Sequence, residues 1–211
     1  MPFRHGILPA ALAALTAFCP ALARAASSPE ADAAPSSPSE KGAYTELLFG
    51  YGTSHPGWGD TTERVETFDV LIRRCIPIVS KNDGWIRGRH ECWIEIPFAF
   101  LLSDSDSNDA HDVGLFGVDV LAVWIFPEVA WGCSPYLLAG GGPIYLAADV
   151  EGMGNNLCGN YQFGGGVRVA TAGERNVDLE LRFHHVSNMG AASPNRPLNS
   201  TKLYLGASFP F

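Results

Sequence analysis

From Ala43 onward the chain consists of short runs in which apolar and polar residues alternate. A period of two places successive side chains on opposite faces of a β-strand. The pattern predicts eight strands, over residues 43–53, 64–76, 85–101, 113–127, 134–147, 160–171, 176–187 and 200–211. Their lengths suit tilted membrane strands, which need ~9–11 residues to cross the bilayer. No segment after residue 25 has the periodicity and caps of an α-helix.

The connections between the predicted strands alternate in length. Those at 54–63, 102–112, 148–159 and 188–199 are longer than those at 77–84, 128–133 and 172–175. This alternation is typical of outer-membrane barrels, whose long loops lie outside the cell. The predicted fold is therefore an all-β, eight-stranded antiparallel transmembrane β-barrel of a bacterial outer membrane. An even number of strands puts both termini in the periplasm.

The parity of each strand predicts which face meets lipid. In the seventh strand Asp178, Glu180 and Arg182 alternate with apolar residues, and we expect these three to form a paired polar network in the lumen. The opposite face is expected to meet lipid, and in the last strand it carries Leu203, Leu205, Ala207, Phe209 and Phe211. An aromatic belt is predicted from Trp85, Trp93, Trp124 and Trp131. A soluble lipocalin-like barrel, with the apolar set inside, is the alternative.

The ends of the chain favour the membrane alternative. Residues 1–25 combine a short polar start, an apolar stretch and Ala23-Arg24-Ala25, as in a secretory signal peptide. Residues 26–42 are rich in Ala, Ser, Pro and acid and are predicted to be a disordered linker. The barrel then spans 43–211. The terminal Phe211, on the lipid-facing register, resembles the signal read by the barrel-assembly machinery.

Charge and cysteine content exclude several functions. The formal net charge is −8, and removing residues 1–25 leaves 12 basic against 22 acidic side chains, or −10. Such a chain is a poor nucleic-acid binder. Cys75, Cys92, Cys133 and Cys158 would remain after export, and their three complete pairings stay open. No CxxC or His/Cys spacing suggests a metal site, and no cofactor is predicted.

One short stretch could carry chemistry. His185 and Ser187 are two positions apart and therefore share a face, which parity assigns to lipid. Polar side chains there cost desolvation energy unless they lie in the headgroup zone, above the hydrocarbon. Either the pair is functional, or it merely marks the outer end of the seventh strand.

The segment His185-Val-Ser-Asn-Met-Gly, followed by Pro194-Asn195 and a strand ending in Phe, resembles the lipid A deacylase family. Weaker similarity, including Gly-rich fifth and sixth strands, covers the whole barrel. The resemblance implies an outer-membrane barrel that removes an ester-linked acyl chain from lipid A. It implies that Ser187 is the nucleophile and His185 the general base. Asn195, together with Asn188, would donate to the oxyanion.

The chain departs from the family pattern at one position. The family has an acid fourteen positions after the histidine, where this sequence has Asn199. An Asn can orient a histidine through its carbonyl, but it cannot stabilise imidazolium by charge. We therefore expect Asn199 to orient His185 and to support weaker catalysis than an acid would. The alternative is that Asn199 is only a turn residue.

Three functions follow from these residues. The leading one is an esterase that acts on lipid A in the outer leaflet and releases a 3-hydroxy fatty acid. The second is a non-catalytic structural or adhesive barrel, and the third is a soluble periplasmic binding protein. The sequence leaves open which acyl chain is removed and whether the barrel forms a homodimer.

Overall fold

The computed structural model describes residues 42–104, 113–148, 150–171 and 175–209. The signal peptide, nearly all of the linker, most of the third loop and Phe211 lie outside these ranges and stay predictions. The strands are β1 (Tyr44–Ser54), β2 (Val65–Lys81), β3 (Gly88–Asp104), β4 (Val113–Gly117), β5 (Asp119–Ile125), β6 (Cys133–Leu146), β7 (Leu157–Thr171), β8 (Arg175–Ser187) and β9 (Leu198–Phe209). In the described ranges no helix is long and apolar enough to cross a bilayer.

The strands form one closed antiparallel ring. Neighbouring strands pair along the chain and β9 pairs with β1, except that β4 and β5 do not pair with each other and both lie between β3 and β6. Because β4 and β5 are two halves of one barrel strand, the ring has eight strands, as predicted. The halves keep one register and are interrupted at Val118, beside Pro97 of β3 and Pro143 of β6. A proline has no backbone N–H to donate, so the ladder breaks there.

The two faces of the barrel follow the predicted parity. In β9, Lys202 and Tyr204 are buried in the lumen, whereas Leu203 and Leu205 are 42% and 49% exposed on the outer surface. The predicted aromatic belt stays a prediction for the tryptophans on the outer surface. Trp85 and Trp131 lie exposed at the periplasmic turns. The prediction for Trp93 is wrong, because its ring is fully buried in the lumen under the Arg73 guanidinium, 3.8 Å from the ring centre.

Buried ion pairs fill the middle of the lumen. Arg73 of β2 contacts Glu46 of β1 and Glu95 of β3, each at 2.7 Å. Arg182 of β8 contacts Glu95 at 2.7 Å. Arg168 of β7 contacts Glu46 at 2.6 Å. Asp178 and Glu180 of β8 also belong to this network. The predicted polar network is therefore present, and it includes residues of β1, β2, β3 and β7 as well as β8.

The lumen becomes apolar towards the extracellular end. Ile144, Leu146, Cys158 and Val186 form a buried cluster there, and a cavity beside it measures only about 50 Å³. Cys158 is a free thiol, as are Cys75 and Cys92, so the four cysteines do not form two disulfides among themselves.

The first extracellular loop, residues 55–64, is tied to the start of β9. The His55 backbone N–H donates to the Asn199 carbonyl at 2.9 Å, and the His55 ring hydrogen-bonds to the Thr201 hydroxyl. Burial of the imidazole, and then the nearby Arg64 guanidinium, lower the pKa of His55 below its ordinary value of 6.5. The neutral ring is therefore the form that the folded loop prefers.

Removing one arginine from the lumen network should destabilise the barrel strongly. Arg73→Ala leaves buried acids without a partner, which costs about 3–5 kcal/mol of unfolding free energy. The measurement is denaturant unfolding in lipid vesicles, followed by the heat-modifiable shift on gels. Arg64→Ala is the matched control, because Arg64 is 62% exposed and its ion pair with Glu66 is 3.7 Å long. An equally small effect of both changes would contradict the stabilising role of the network.

The first loop should loosen in acid. The folded-state pKa of His55 lies below the unfolded-state value, so its contribution to stability is present above pH 6.5 and declines as the pH falls below it. Hydrogen-exchange protection of residues 55–64 should therefore fall between pH 7 and about pH 5. His55→Gln, which keeps a polar group but cannot titrate, should flatten this dependence. An unchanged pH slope in that variant would rule His55 out as the cause.

Candidate active site

The alternation of β8 places His185 and Ser187 on the outer surface. Val186, between them, points into the lumen and is buried in the apolar cluster with Cys158. Its neighbours must therefore face outward. Ser187 is the last residue of β8, so both side chains lie at the extracellular rim of the barrel, where the lipid-facing band ends. Ser187 is nevertheless only 6% exposed, because the following loop covers it.

His185 is oriented by Asn199 of the neighbouring strand. The two residues are paired in the register of β8 and β9, and His185 Nδ1 lies 2.8 Å from Asn199 Oδ1. The Asn199 amide nitrogen donates to the Trp58 carbonyl at 2.9 Å. A carbonyl oxygen can only accept, so the amide oxygen must be the atom that faces His185. Nδ1 then carries the proton, and Nε2 has the free lone pair that a general base needs.

Ser187 lies opposite Gly159 of β7. A side chain at Gly159 would lie 2.9 Å from the Met189 sulfur, so the glycine leaves room for Met189 beside the serine. The Ser187 hydroxyl makes no hydrogen bond to any described residue. Residues two apart on a strand have Cα atoms roughly 7 Å apart, so the hydroxyl and Nε2 can approach by side-chain rotation. In hydrolases without substrate this contact is often long and tightens on binding.

The last extracellular loop, residues 188–197, is folded around Asn188. The side-chain amide of Asn188 donates to the carbonyls of Ala192 and Pro194, and its oxygen accepts from the Gly190 N–H at 2.9 Å. The backbone N–H of Asn188 donates to Asn195 Oδ1 at 3.0 Å. All the donors of Asn188 are therefore in use within the loop.

Asn195 is differently placed from Asn188. Its side-chain oxygen is held by the Asn188 N–H, one residue after Ser187, and its amide nitrogen makes no hydrogen bond to a described residue. The side chain is exposed at the surface of the loop. Of the two predicted oxyanion donors, Asn195 is therefore the one with free N–H groups near the serine.

The site lies between an apolar surface and a polar cleft. On the membrane side Phe183 packs against Trp58 and Phe163, with ring centres 5.6 and 5.1 Å apart. On the outer side a cleft of about 430 Å³ opens between the first and last loops. The lining consists of Gly59, Asp60, Thr61, Thr62, Asn195 and Arg196. A lipid with an apolar tail and a polar head meets matching chemistry on both sides.

Two residues of the first loop that contact Asn199 were not predicted from the sequence. Thr61 and the Trp58 carbonyl both bind the Asn199 amide, but they lie 138 and 141 positions away in the chain. No local pattern marks such a contact. Across the described ranges, no three His, Cys, Asp or Glu side chains are grouped in a way that could hold a metal ion.

The fold and sequence match known outer-membrane proteins. The crystal structure of the outer membrane enzyme PagL superposes with a TM-score of 0.56 at 15% identity, covering 76% of this chain and 97% of PagL. Neisserial surface protein A superposes with a TM-score of 0.56 at 14% identity, covering 80% of this chain and 97% of that protein. No curated protein sequence matches significantly.

The family match is more specific than the likeness of fold. Residues 89–208 match the lipid A 3-O-deacylase (PagL) family, and this range includes β8, the loop after it and all of β9 except Phe209. Both structural neighbours are eight-stranded outer-membrane barrels, as is the closed ring described above. The chain is therefore an integral protein of the bacterial outer membrane and belongs to the PagL family of lipid A 3-O-deacylases.

Proposed function

We propose that the protein is an outer-membrane esterase that removes an ester-linked 3-hydroxyacyl chain from lipid A, with Ser187 as nucleophile and His185 as base. The observation that carries the proposal is the 2.8 Å contact between His185 Nδ1 and Asn199 Oδ1. It leaves Nε2 unprotonated on a face that opens sideways to lipid, where the acyl esters of lipid A lie. Family membership supports the same substrate class.

The reaction needs two acyl-transfer steps. Ser187 Oγ attacks the ester carbonyl while His185 Nε2 accepts the hydroxyl proton. The tetrahedral intermediate collapses to an acyl-serine, and the imidazolium returns the proton to the departing sugar hydroxyl. Water then attacks the acyl-serine with the same histidine as base, which releases the 3-hydroxy fatty acid and restores Ser187. The amide of Asn195 donates to the oxyanion in both steps.

The surfaces around His185 and Ser187 suit the apolar and the polar end of the substrate. The acyl chain would lie along the aromatic surface of Trp58, Phe163 and Phe183, and the glucosamine head would enter the cleft beside Thr62 and Arg196. The Asn199 amide is uncharged and stabilises the imidazolium only through its dipole. We therefore expect slower turnover than in family members that carry an acid at this position together with a first loop that accepts it.

A non-catalytic surface protein is the second candidate. The observation that favours it is the equal TM-score, 0.56, to neisserial surface protein A. In that case the dyad would be an unused remnant of the family scaffold, and the lipid A of the cell would be unchanged by the protein.

Expression in the outer membrane of a host with hexa-acylated lipid A should remove one 3-hydroxyacyl group. The mass spectrum of extracted lipid A measures the loss directly. Ser187→Ala and His185→Ala should each abolish the change, because one removes the nucleophile and the other its base. Each variant must still migrate as a folded, heat-modifiable barrel. An unmodified spectrum from a folded wild-type barrel would favour the second candidate, and activity in both variants would refute the assigned roles.

Asn195→Ala should lower kcat by about 10²- to 10³-fold, the effect typical of losing one oxyanion donor. KM should change little, because the donor acts on charge that develops in the transition state. The assay is fatty-acid release from purified lipid A in detergent. Ser193→Ala is the matched control, because it removes an exposed side chain of the same loop that does not line the cleft. A kcat close to wild type in Asn195→Ala would assign the oxyanion to another group.

A further inference from the structure

We infer that Thr61 is a positioning residue for His185, and that the first extracellular loop is built to hold an amide, not a carboxylate, at position 199. The catalytic consequence rests on the proposed function. The structural part, which is the tautomer of the His185 ring, does not depend on it and can be measured in a protein without activity.

Thr61 connects the first loop to the last loop and to β9 through hydrogen bonds. The side chain belongs to the loop after β1 and is only 2% exposed. Its hydroxyl donates to the Pro197 carbonyl at 2.8 Å and accepts from both the backbone N–H and the side-chain amide of Asn199, each at 2.9 Å. A hydroxyl has one proton and two lone pairs, so its hydrogen-bonding capacity is used completely.

Both N–H groups and the oxygen of the Asn199 side-chain amide are hydrogen-bonded. One N–H points to Thr61 Oγ1 and the other to the Trp58 carbonyl, while the oxygen faces His185. The loop comes this close because Gly59 has no side chain. A Cβ at Gly59 would lie 3.3 Å from the Asn199 amide nitrogen, and its φ of +57° favours glycine. The contacts together exclude the flipped amide, which would bring two oxygens together at Trp58.

A carboxylate at position 199 would meet the wrong partners. Its second oxygen would replace the amide nitrogen, 2.9 Å from the Trp58 carbonyl oxygen, which cannot donate. Thr61 could donate to it only by giving up the Pro197 carbonyl. An ionised carboxylate at position 199 would therefore be repelled by the first loop, to which the Asn199 amide is hydrogen-bonded. Asn199 is thus the residue for which this loop is shaped, and not the remnant of a lost acid.

The test compares Thr61→Val with Thr61→Ser in otherwise native protein labelled with ¹⁵N-histidine in detergent micelles. The chain has six histidines, and His185→Gln identifies the signals of that ring. Wild type and Thr61→Ser should show His185 with the proton on Nδ1. Thr61→Val should lose this single tautomer and give a mixture, because valine makes none of the three hydrogen bonds that hold the first loop, and with it the Trp58 carbonyl, against Pro197 and Asn199. An exposed neighbour, Thr62→Val, is the matched control and should leave the spectrum unchanged.

Kinetics supply the second readout. Thr61→Val should lower kcat on the order of 10- to 100-fold with little change in KM, and Thr61→Ser should restore most of it. Asn199→Asp should lower kcat at neutral pH. Heat-modifiable migration shows that each variant is folded.

The outcomes separate the two proposals. A folded Thr61→Val protein that keeps the wild-type tautomer would overturn the positioning role. A higher kcat in Asn199→Asp would overturn the preference for an amide. If the wild type releases no fatty acid but the tautomer responds to Thr61→Val, the proposed function fails and the positioning role stands.

Discussion

The ion pairs that fill the lumen are the interaction on which the rest of the structure depends. Arg73, Arg168 and Arg182 have almost no exposed surface and bind acids from β1, β3 and β8. In lipid the ring of strands must close completely, because no unpaired backbone edge is tolerated. The ion pairs brace that ring across its interior. They also fill the middle of the lumen and leave little space there for a ligand.

The same network of ion pairs determines which way His185 and Ser187 face. Asp178, Glu180 and Arg182 occupy the inward positions of β8, and the strand continues without a bulge to Ser187. A slip of one residue in register would place these charges in lipid and turn His185 inward. Burial of charge in the middle of the strand therefore determines which way the histidine faces three residues later. The strand positions His185, and the first loop determines the hydrogen bonding of its partner Asn199.

Much of this arrangement could be predicted from the sequence, because a period of two is a local signal. The strands, their facing and the outward position of His185 follow from it. The wrong assignment of Trp93 was avoidable, because Trp93 shares the parity of Glu91 and Glu95, and all three are buried in the lumen. The break at Val118 depends on prolines in two neighbouring strands. Thr61 and the Trp58 carbonyl are joined to Asn199 only by the closing of the ring, which no spacing along the chain reveals.

The filled lumen has a consequence for the cell. The cavity at its extracellular end, about 50 Å³, has room for one or two water molecules. Hydrated ions and small antibiotics need a continuous wet path, and the buried arginines and acids occupy its place. The middle of the described barrel therefore offers such solutes no path through the protein. The effect of the protein on the permeability of the membrane is therefore confined to what it does to the surrounding lipids.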